Sequence, residues 1–249
     1  MKLNKVLLGS LFIASTLLAG SHSTHWGYTG HESPSNWGDL DPKYSMCKQG
    51  SSQSPINITK SVTVESEDLE KIVFDYRTGA SEVINNGHTV QVNIKGGSSI
   101  TVDGIEFSLK QFHFHTPSEN QIEGQNFSLE AHFVHASKDG KLAVVAVMFE
   151  EGKENPILKK IWKKMPHKAG GSAGCGLPSK VINDILPKEK DYYRFSGSLT
   201  TPPCSEGVRW LVMKHYSHVS AAQTKEFLEL FHHSNNRPIQ SINARKVMK

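Results

Sequence analysis

Two segments of the chain carry histidines at a spacing that suits metal binding. His113 and His115 alternate with phenylalanine in Gln-Phe-His-Phe-His, and His132 lies in Glu-Ala-His-Phe-Val. Side chains two residues apart point to the same face of a β-strand, whereas in a helix the same spacing would point the imidazoles apart. If the two segments pair as neighbouring strands across the region of Gly124, three imidazoles converge on one point.

Three neutral imidazoles leave the fourth tetrahedral position of Zn²⁺ open, which is the arrangement of a catalytic zinc site. Zinc lowers the pKa of bound water to about 7, and so it supplies hydroxide at neutral pH. The second nitrogen of a metal-bound histidine also needs a hydrogen-bond acceptor. Gln111, Glu119 and Glu130 are near enough in sequence to provide one. The pattern therefore predicts a catalytic zinc site.

Two other interpretations of these histidines remain. They could be unrelated, half-buried side chains of a sheet. Alternatively, the spacing from His113 through Glu119 to Gly124 is similar to the first motif of the cupins, in which Glu119 would itself bind iron or manganese. The second cupin motif, a Pro-x-Gly followed by a histidine, does not occur before His132, which disfavours this alternative.

The N-terminus has the pattern of a secretory signal. Lys2 and Lys5 precede an uncharged, mostly apolar run over residues 6–18, and small residues follow up to Ser21. The run is shorter than the ~20 residues that a membrane span needs. We therefore predict that residues 1–21 are a signal peptide, that residues 22–249 form the mature domain, and that the protein is secreted or periplasmic without a membrane span.

Export places the cysteines in an oxidising compartment, where one pair among Cys47, Cys175 and Cys204 can form. Spacing alone does not say which pair. The net charge of +4, from 28 Lys and Arg against 24 Asp and Glu, is small and dispersed, and it argues neither for nor against a nucleic-acid partner. We predict no such partner, because the sequence has no basic stripe beyond one predicted helix face. The lysine-rich face of a predicted helix over residues 156–165 is typical of a solvated surface, although an anion site is the alternative.

The elements that must position the histidines are mainly strands. Short stretches of β-branched and aromatic residues recur between turn signals such as Asn85-Asn86-Gly87 and Asp139-Gly140. A second helix is predicted over residues 220–231, with a serine cap. The predicted strands are Ile72–Tyr76, Val90–Ile94, Phe107–His115, Leu129–Ala136 and Leu142–Phe149. Their spacing is typical of an antiparallel sheet, and no linker or repeat divides the chain.

Eight motifs in order give the sequence a resemblance to the α-class carbonic anhydrases over almost the whole mature chain. They are residues 25–28, 53–58, 85–88, 111–115, 118–120, 130–132, 196–204 and 236–238. The resemblance implies an α+β, mainly β fold: a single domain around a large twisted, mostly antiparallel sheet with short surface helices. It also implies a disulfide between Cys47 and Cys204, as in secreted members, which leaves Cys175 as a free thiol.

The resemblance implies that the enzyme hydrates CO₂ reversibly to bicarbonate and a proton. One zinc would be held by His113, His115 and His132. Their acceptors would be Gln111 for His113, a backbone carbonyl near Asn235 for His115, and Glu130 for His132. Glu119 would accept the hydroxyl proton of Thr200, so that the Thr200 oxygen orients the attacking hydroxide.

The resemblance also divides the cleft into two sides. The substrate pocket would consist of Val134, Val144, Leu199, Thr201 and Trp210. His88 would shuttle the proton, since a partly exposed imidazole with a pKa near 6.5 suits that task, and Tyr28, Asn86 and Gln91 would line its path.

Sulfonamides and anions are the inhibitors that the resemblance implies, and the sequence leaves a homodimer open. Ester hydrolysis would be a side activity of the same site.

The alternative from another functional class is a non-catalytic extracellular binding module on the same fold. All three predicted zinc ligands are present, which favours the enzyme.

Overall fold

The computed structural model describes residues 24–249. The predicted signal peptide, residues 1–21, therefore lies outside the described residues. Within residues 24–249, none of the helices combines the length and the apolar character that crossing a bilayer would require.

Strands dominate the described part of the chain, and the helices are short. The strands are β1 Asn57–Ile58, β2 Thr63–Val64, β3 Val73–Asp75, β4 Ala80–Asn85, β5 Val90–Ile94, β6 Ser99–Val102, β7 Ile105–His115, β8 Gln121–Ile122, β9 Leu129–Ala136, β10 Leu142–Glu151, β11 Ser172–Gly174, β12 Tyr192–Ser198, β13 Glu206–Met213, β14 Ser217–Val219 and β15 Val247–Met248. The α-helices are α1 Trp37–Leu40, α2 Met46–Gln49, α3 Pro156–Trp162, α4 Ser179–Asn183 and α5 Ala221–Phe231, with 3₁₀ turns at Gly30–Glu32 and Pro42–Tyr44.

Thirteen of these strands form one sheet with the main order β11-β4-β5-β7-β9-β10-β13-β12-β15-β2. Most neighbours are antiparallel, whereas β10 pairs in parallel with β13 and β14, and β15 with β2. The prediction of a large, mostly antiparallel sheet with short surface helices is confirmed. The parallel pairing of β10 with β13 was not predicted, because it joins strands separated by more than fifty residues of intervening chain.

The central pair β7 and β9 is antiparallel, and His113 is directly opposite His132. A bulge between Leu109 and Gln111 adjusts the register just before the histidines. Phe112, Phe114 and Phe133 lie on the opposite face, where each is completely buried. The alternation predicted from the sequence is therefore present, with aromatic rings toward the main core and imidazoles toward the other face.

Two apolar clusters cover the two faces of the sheet. The larger one includes the phenylalanines of β7 and β9 and is closed by α3 and α5, where the Phe114 and Trp162 rings meet edge to face at 4.9 Å. Helix α5 begins after Ser220, whose hydroxyl accepts the Gln223 N–H in a capping box, as the sequence predicted. Helix α3 ends at Trp162, three residues before its predicted end.

The N-terminal segment is joined to the β12–β13 loop by a disulfide between Cys47 and Cys204, across 157 residues. Cys175 is a free, half-buried thiol. The buried guanidinium of Arg237 strengthens the same junction, because it donates to the carbonyls of Cys47 and Ser54 at 2.9 and 2.8 Å. The loop that the disulfide anchors also carries Thr200.

We expect the double substitution of Cys47 and Cys204 by serine to lower the free energy of unfolding substantially. The chain-entropy relation for so long a loop gives an upper value of about 5 kcal/mol. Urea denaturation under oxidising conditions measures the change. Cys175→Ser is the matched control, and its free energy of unfolding should equal that of the parent. Equal unfolding free energies for the double variant and the parent would contradict this role of the disulfide.

Candidate metal centre

Three histidine side chains converge where β7 and β9 lie side by side. One ring nitrogen from each of His113, His115 and His132 lies within 4.8 Å of the other two. Among residues 24–249, this is the one group of histidines, cysteines and carboxylates that meets this geometry. The strand pairing produces it, because His113 faces His132 directly and His115 follows two residues later on the same face.

Hydrogen bonds orient the two histidines of β7. His113 Nδ1 is 2.9 Å from Gln111 Oε1, and His115 Nδ1 is 2.7 Å from the Asn235 carbonyl oxygen. With Nδ1 donating its proton, each ring presents Nε2 as the free electron pair. The acceptors are those predicted from the sequence.

His132 is oriented the other way round. Its Nε2 faces the Glu130 carboxylate, 2.9 Å from Oε1, although the alignment is not that of a directed hydrogen bond. Because Nε2 faces Glu130, Nδ1 is the atom that faces the other two histidines. The Glu130 carboxylate is completely buried and accepts the backbone N–H groups of Glu119 and Asn120 at 2.7 and 2.9 Å. Burial raises the pKa of Glu130, and hydrogen bonds from Asn120 oppose that shift.

The electrostatics of the cluster favour neutral imidazoles. Burial lowers the pKa of His113, His115 and His132, so each ring keeps an electron pair at neutral pH. Metal ligation requires this protonation state. His115 Nε2 is buried and lacks a hydrogen-bond partner among the described residues, although leaving such an atom unpaired is costly. Three converging neutral nitrogens with oriented rings fit Zn²⁺.

Glu119 lies beside this cluster. Its Oε1 accepts the Arg237 backbone N–H at 2.8 Å, while Oε2 has no aligned donor among residues 24–249. Oε2 is 3.5 Å from His115 Nε2 and 3.8 Å from His132 Nδ1. Burial raises the pKa of Glu119 strongly, whereas the Arg237 N–H and the Thr200 hydroxyl lower it. Glu119 is not one of the three converging groups, which argues against the cupin arrangement.

Thr200 stands on the loop between β12 and β13 and is buried. The Leu199 N–H donates to the Ser205 carbonyl at 2.9 Å, and the Trp210 indole N–H donates to the Ser198 carbonyl at 3.0 Å. These bonds hold the start of the loop against β13. The Thr200 hydroxyl is near enough to the Glu119 carboxylate to lower its pKa by hydrogen bonding, a contact that the family resemblance implied.

One wall beside the histidines is apolar. Val134 of β9 pairs with Val144 of β10, and Val144 pairs with Trp210 of β13, so the three side chains form a row across three strands. Leu199 packs against the same cluster. The Trp210 ring centre is 4.9 Å from that of His132. Trp210, and Val134 two residues along β9 from His132, thus lie beside that histidine, and only the parallel pairing of β10 and β13 brings Trp210 there.

The other wall is polar and lines a cleft of about 130 Å³. Its lining includes His113 and His115 together with the residues predicted for proton transfer, Tyr28, Asn86, His88 and Gln91. Thr201, which was predicted for the substrate pocket, also lines this polar cleft. Gln91 of β5 is paired with His113 of β7, which explains how it reaches the cleft. The Asn86 side chain also accepts the backbone N–H groups of His88 and Thr89, both at 2.9 Å, and so it shapes the turn that carries His88.

His88 is half-buried, in keeping with the partly exposed imidazole expected from the sequence, but its pKa differs from the expected value near 6.5. Its ring is stacked on Trp26, with centres 3.8 Å apart and planes 9° from parallel. Burial first, and then the nearby His25 and His233, lower the pKa of His88 to about 4. Sequence reasoning did not single out Trp26 or His233 for this cleft. Trp26 belongs to the N-terminal motif, while no local pattern pointed to His233.

Comparisons with known proteins agree with this geometry. A family model described as eukaryotic-type carbonic anhydrase matches residues 32–249. The carbonic anhydrase of Neisseria gonorrhoeae is 48% identical over 249 residues, which cover all of this chain and 96% of that protein. The carbonic anhydrase of Pectobacterium atrosepticum is 45% identical over 243 residues, which cover 98% of this chain and 96% of that protein.

Solved structures are similar as well. The α-carbonic anhydrase of Thermovibrio ammonificans, in complex with the inhibitor sulfanilamide, has a TM-score of 0.88 and 48% identity, with 91% of this chain and 99% of that chain covered. A hyperthermostable carbonic anhydrase from a hydrothermal vent chimney has a TM-score of 0.86 and 53% identity, covering 90% of this chain and 99% of that one. The chain therefore belongs to the eukaryotic-type, or α-class, carbonic anhydrase family of enzymes.

Proposed function

We propose that the chain is a zinc enzyme that hydrates CO₂ reversibly to bicarbonate and a proton. The observation that carries this proposal is the convergence of three neutral imidazoles, two of them buried and His113 half-buried, within 4.8 Å of one another, between an apolar wall and a polar cleft. Membership of the carbonic anhydrase family supports the reaction.

His113 Nε2, His115 Nε2 and His132 Nδ1 would hold the metal, because these are the nitrogens that their hydrogen bonds leave facing the cluster. When bound, zinc supplies a strong nucleophile from water at neutral pH. The fixed ring orientations keep the ligand set together without further rearrangement.

Thr200 and Glu119 would orient the attack. A hydroxyl has one proton to donate, so a Thr200 hydroxyl that donates to Glu119 leaves only its oxygen electron pairs for the nucleophile. The nucleophile must then donate to Thr200, and its own electron pair is directed toward the substrate. A cation held by the histidines would favour the ionised, accepting form of Glu119.

The apolar row of Val134, Val144 and Trp210, together with Leu199, would receive CO₂. A linear, apolar substrate gains from a water-poor surface and offers no strong hydrogen-bonding group. Thr201 stands between this wall and the polar cleft, whose lining it shares. The proton would leave on the polar side, past Tyr28, Asn86 and Gln91 to His88.

We propose further that residues 1–21 are removed on export, and that residues 22–249 act as one secreted or periplasmic domain. The disulfide between Cys47 and Cys204 is compatible with an oxidising compartment. Sulfonamides should inhibit the enzyme, since the similar enzyme of Thermovibrio ammonificans forms a complex with sulfanilamide. A homodimer is compatible with this proposal. No feature of the described residues favours the non-catalytic binding module.

The proposal is tested by CO₂ hydration and zinc content measured on the same sample. We expect about one zinc per chain and sulfonamide-sensitive hydration, and we expect His132→Ala to lose both zinc and activity, because two imidazoles hold the ion far less well than three. His218→Ala, which removes an exposed imidazole of β14, is the matched control. Full zinc retention by His132→Ala would contradict the ligand set, and zinc without hydration would contradict the reaction.

Thr200→Ala and Glu119→Gln should fold and keep zinc but lose kcat/KM by on the order of 10²-fold, because a misdirected nucleophile carries a cost of that size. Thr200→Ser retains the hydroxyl and should preserve most of the activity. Stopped-flow hydration together with zinc analysis measures both properties. Full activity in Thr200→Ala would rule out the orienting role.

His88→Ala should lower kcat in weak buffer while zinc content and kcat/KM stay unchanged, because proton removal follows the chemical step. The loss should be smaller than the roughly 10²–10⁴-fold typical of a sole proton-transfer group. Added imidazole should restore part of the rate. An unchanged kcat in weak buffer would show that His88 does not carry the proton.

A further inference from the structure

Three imidazoles surround the opening of the polar cleft, and they come from three distant parts of the chain. His25 belongs to the N-terminal segment, His88 to the turn between β4 and β5, and His233 to the segment that follows α5. The ring centres of His25 and His88 are 6.1 Å apart, and His233 and Tyr28 are 6.0 Å apart.

His88 alone is poorly suited to accept protons in the position observed. Its ring is stacked face to face on Trp26 and is only partly open to solvent. The pKa of His88 is lowered to about 4 by burial, then by His25 and His233. Because the donor water would have a pKa of about 7 when zinc is bound, transfer of its proton to His88 would be unfavourable, and protonated His88 would be sparsely populated.

His233 has the geometry of a proton acceptor. Its Nδ1 is 2.9 Å from the Ser234 carbonyl oxygen, so Nδ1 holds the proton and Nε2 carries the free electron pair. The side chain is half-buried and so retains access to solvent. On its inner side it faces Tyr28, which lines the same cleft as His113 and His115.

The segment that carries His233 is held firmly against the metal site. The Asn235 side-chain amide donates to the carbonyls of His88 and Phe114 at 3.0 and 2.9 Å. The Asn235 carbonyl accepts from His115 Nδ1 at 2.7 Å. Residue 233 is therefore fixed relative to both the shuttle candidate and a metal ligand.

We propose that His233 is a second proton-transfer residue, which receives protons from the cleft along its Tyr28 side, in parallel with His88. The proposal rests on the CO₂-hydrating function proposed above. A water of the cleft gives its proton to the electron pair of His233 Nε2, while Nδ1–H stays bonded to the Ser234 carbonyl. Nε2 then passes the proton to a buffer base outside, which restores the neutral ring.

The charges around the opening make the two routes dependent on each other. His25 and His233 each disfavour a positive charge on His88. His25 Nδ1 is also 3.3 Å from a Glu32 carboxylate oxygen. Tyr28 is half-buried, and its pKa is raised by burial and by Glu119, so it stays neutral and can only relay a hydrogen bond.

The test compares His88→Ala, His233→Ala and the double variant in stopped-flow CO₂ hydration, each with weak and with strong buffer. We expect His233→Ala to lower kcat in weak buffer by a few-fold. The double variant should lower kcat by roughly 10²-fold or more, because no positioned proton-transfer group would remain. Strong buffer or added imidazole should restore kcat in each case.

The ratio kcat/KM separates this role from a structural one. It should stay unchanged in His233→Ala and in His233→Gln, which keeps a polar side chain but cannot titrate, and His218→Ala should alter neither constant. The inference is overturned if His233→Ala adds no loss to His88→Ala, or if kcat/KM falls as much as kcat. Absence of zinc or of hydration in the parent would instead contradict the proposed function.

Discussion

The antiparallel register between β7 and β9 is the constraint on which the rest of the site depends. It places His113 opposite His132 and sets Phe112 opposite Phe133 on the other face. Since the side-chain period of a strand is two, a shift by one residue would turn the imidazoles into the apolar core and the phenylalanine side chains toward the cleft. The completely buried phenylalanines make that shift very unfavourable, so the core itself enforces the position of the metal ligands.

The same register requires a network of buried polar groups around the imidazoles. Glu119, Glu130 and Arg237 are all nearly or fully buried, and each is held by backbone donors or acceptors. Buried charges of this kind contribute little net stability, but removing one partner leaves another uncompensated. The network therefore serves mainly to hold the ligand orientations and the Thr200 loop in one arrangement. The disulfide fixes that loop to the N-terminal segment at a second point.

The cleft has two chemically different sides because it lies where two sets of strands meet. The side toward β10 and β13 presents valine and tryptophan, whereas the side toward β5 presents Gln91 and leads to His88. An apolar substrate and a departing proton can therefore use separate routes. The imidazoles at the polar opening belong to three separate segments. Proton transfer there therefore depends on how these segments pack against one another, and not on one strand.

Local sequence patterns determined the strands that hold the imidazoles, the faces on which they lie, and the serine cap of α5, because periodicity two and capping depend on near neighbours alone. The family resemblance added the Cys47–Cys204 pairing and the acceptors of the ligand nitrogens. Only the tertiary structure decided that β10 runs parallel to β13, that Trp26 covers His88, and that His233 lies beside Tyr28. These contacts join residues far apart in the chain, and their formation depends on the packing of the whole sheet. A short sequence pattern does not contain information about that packing.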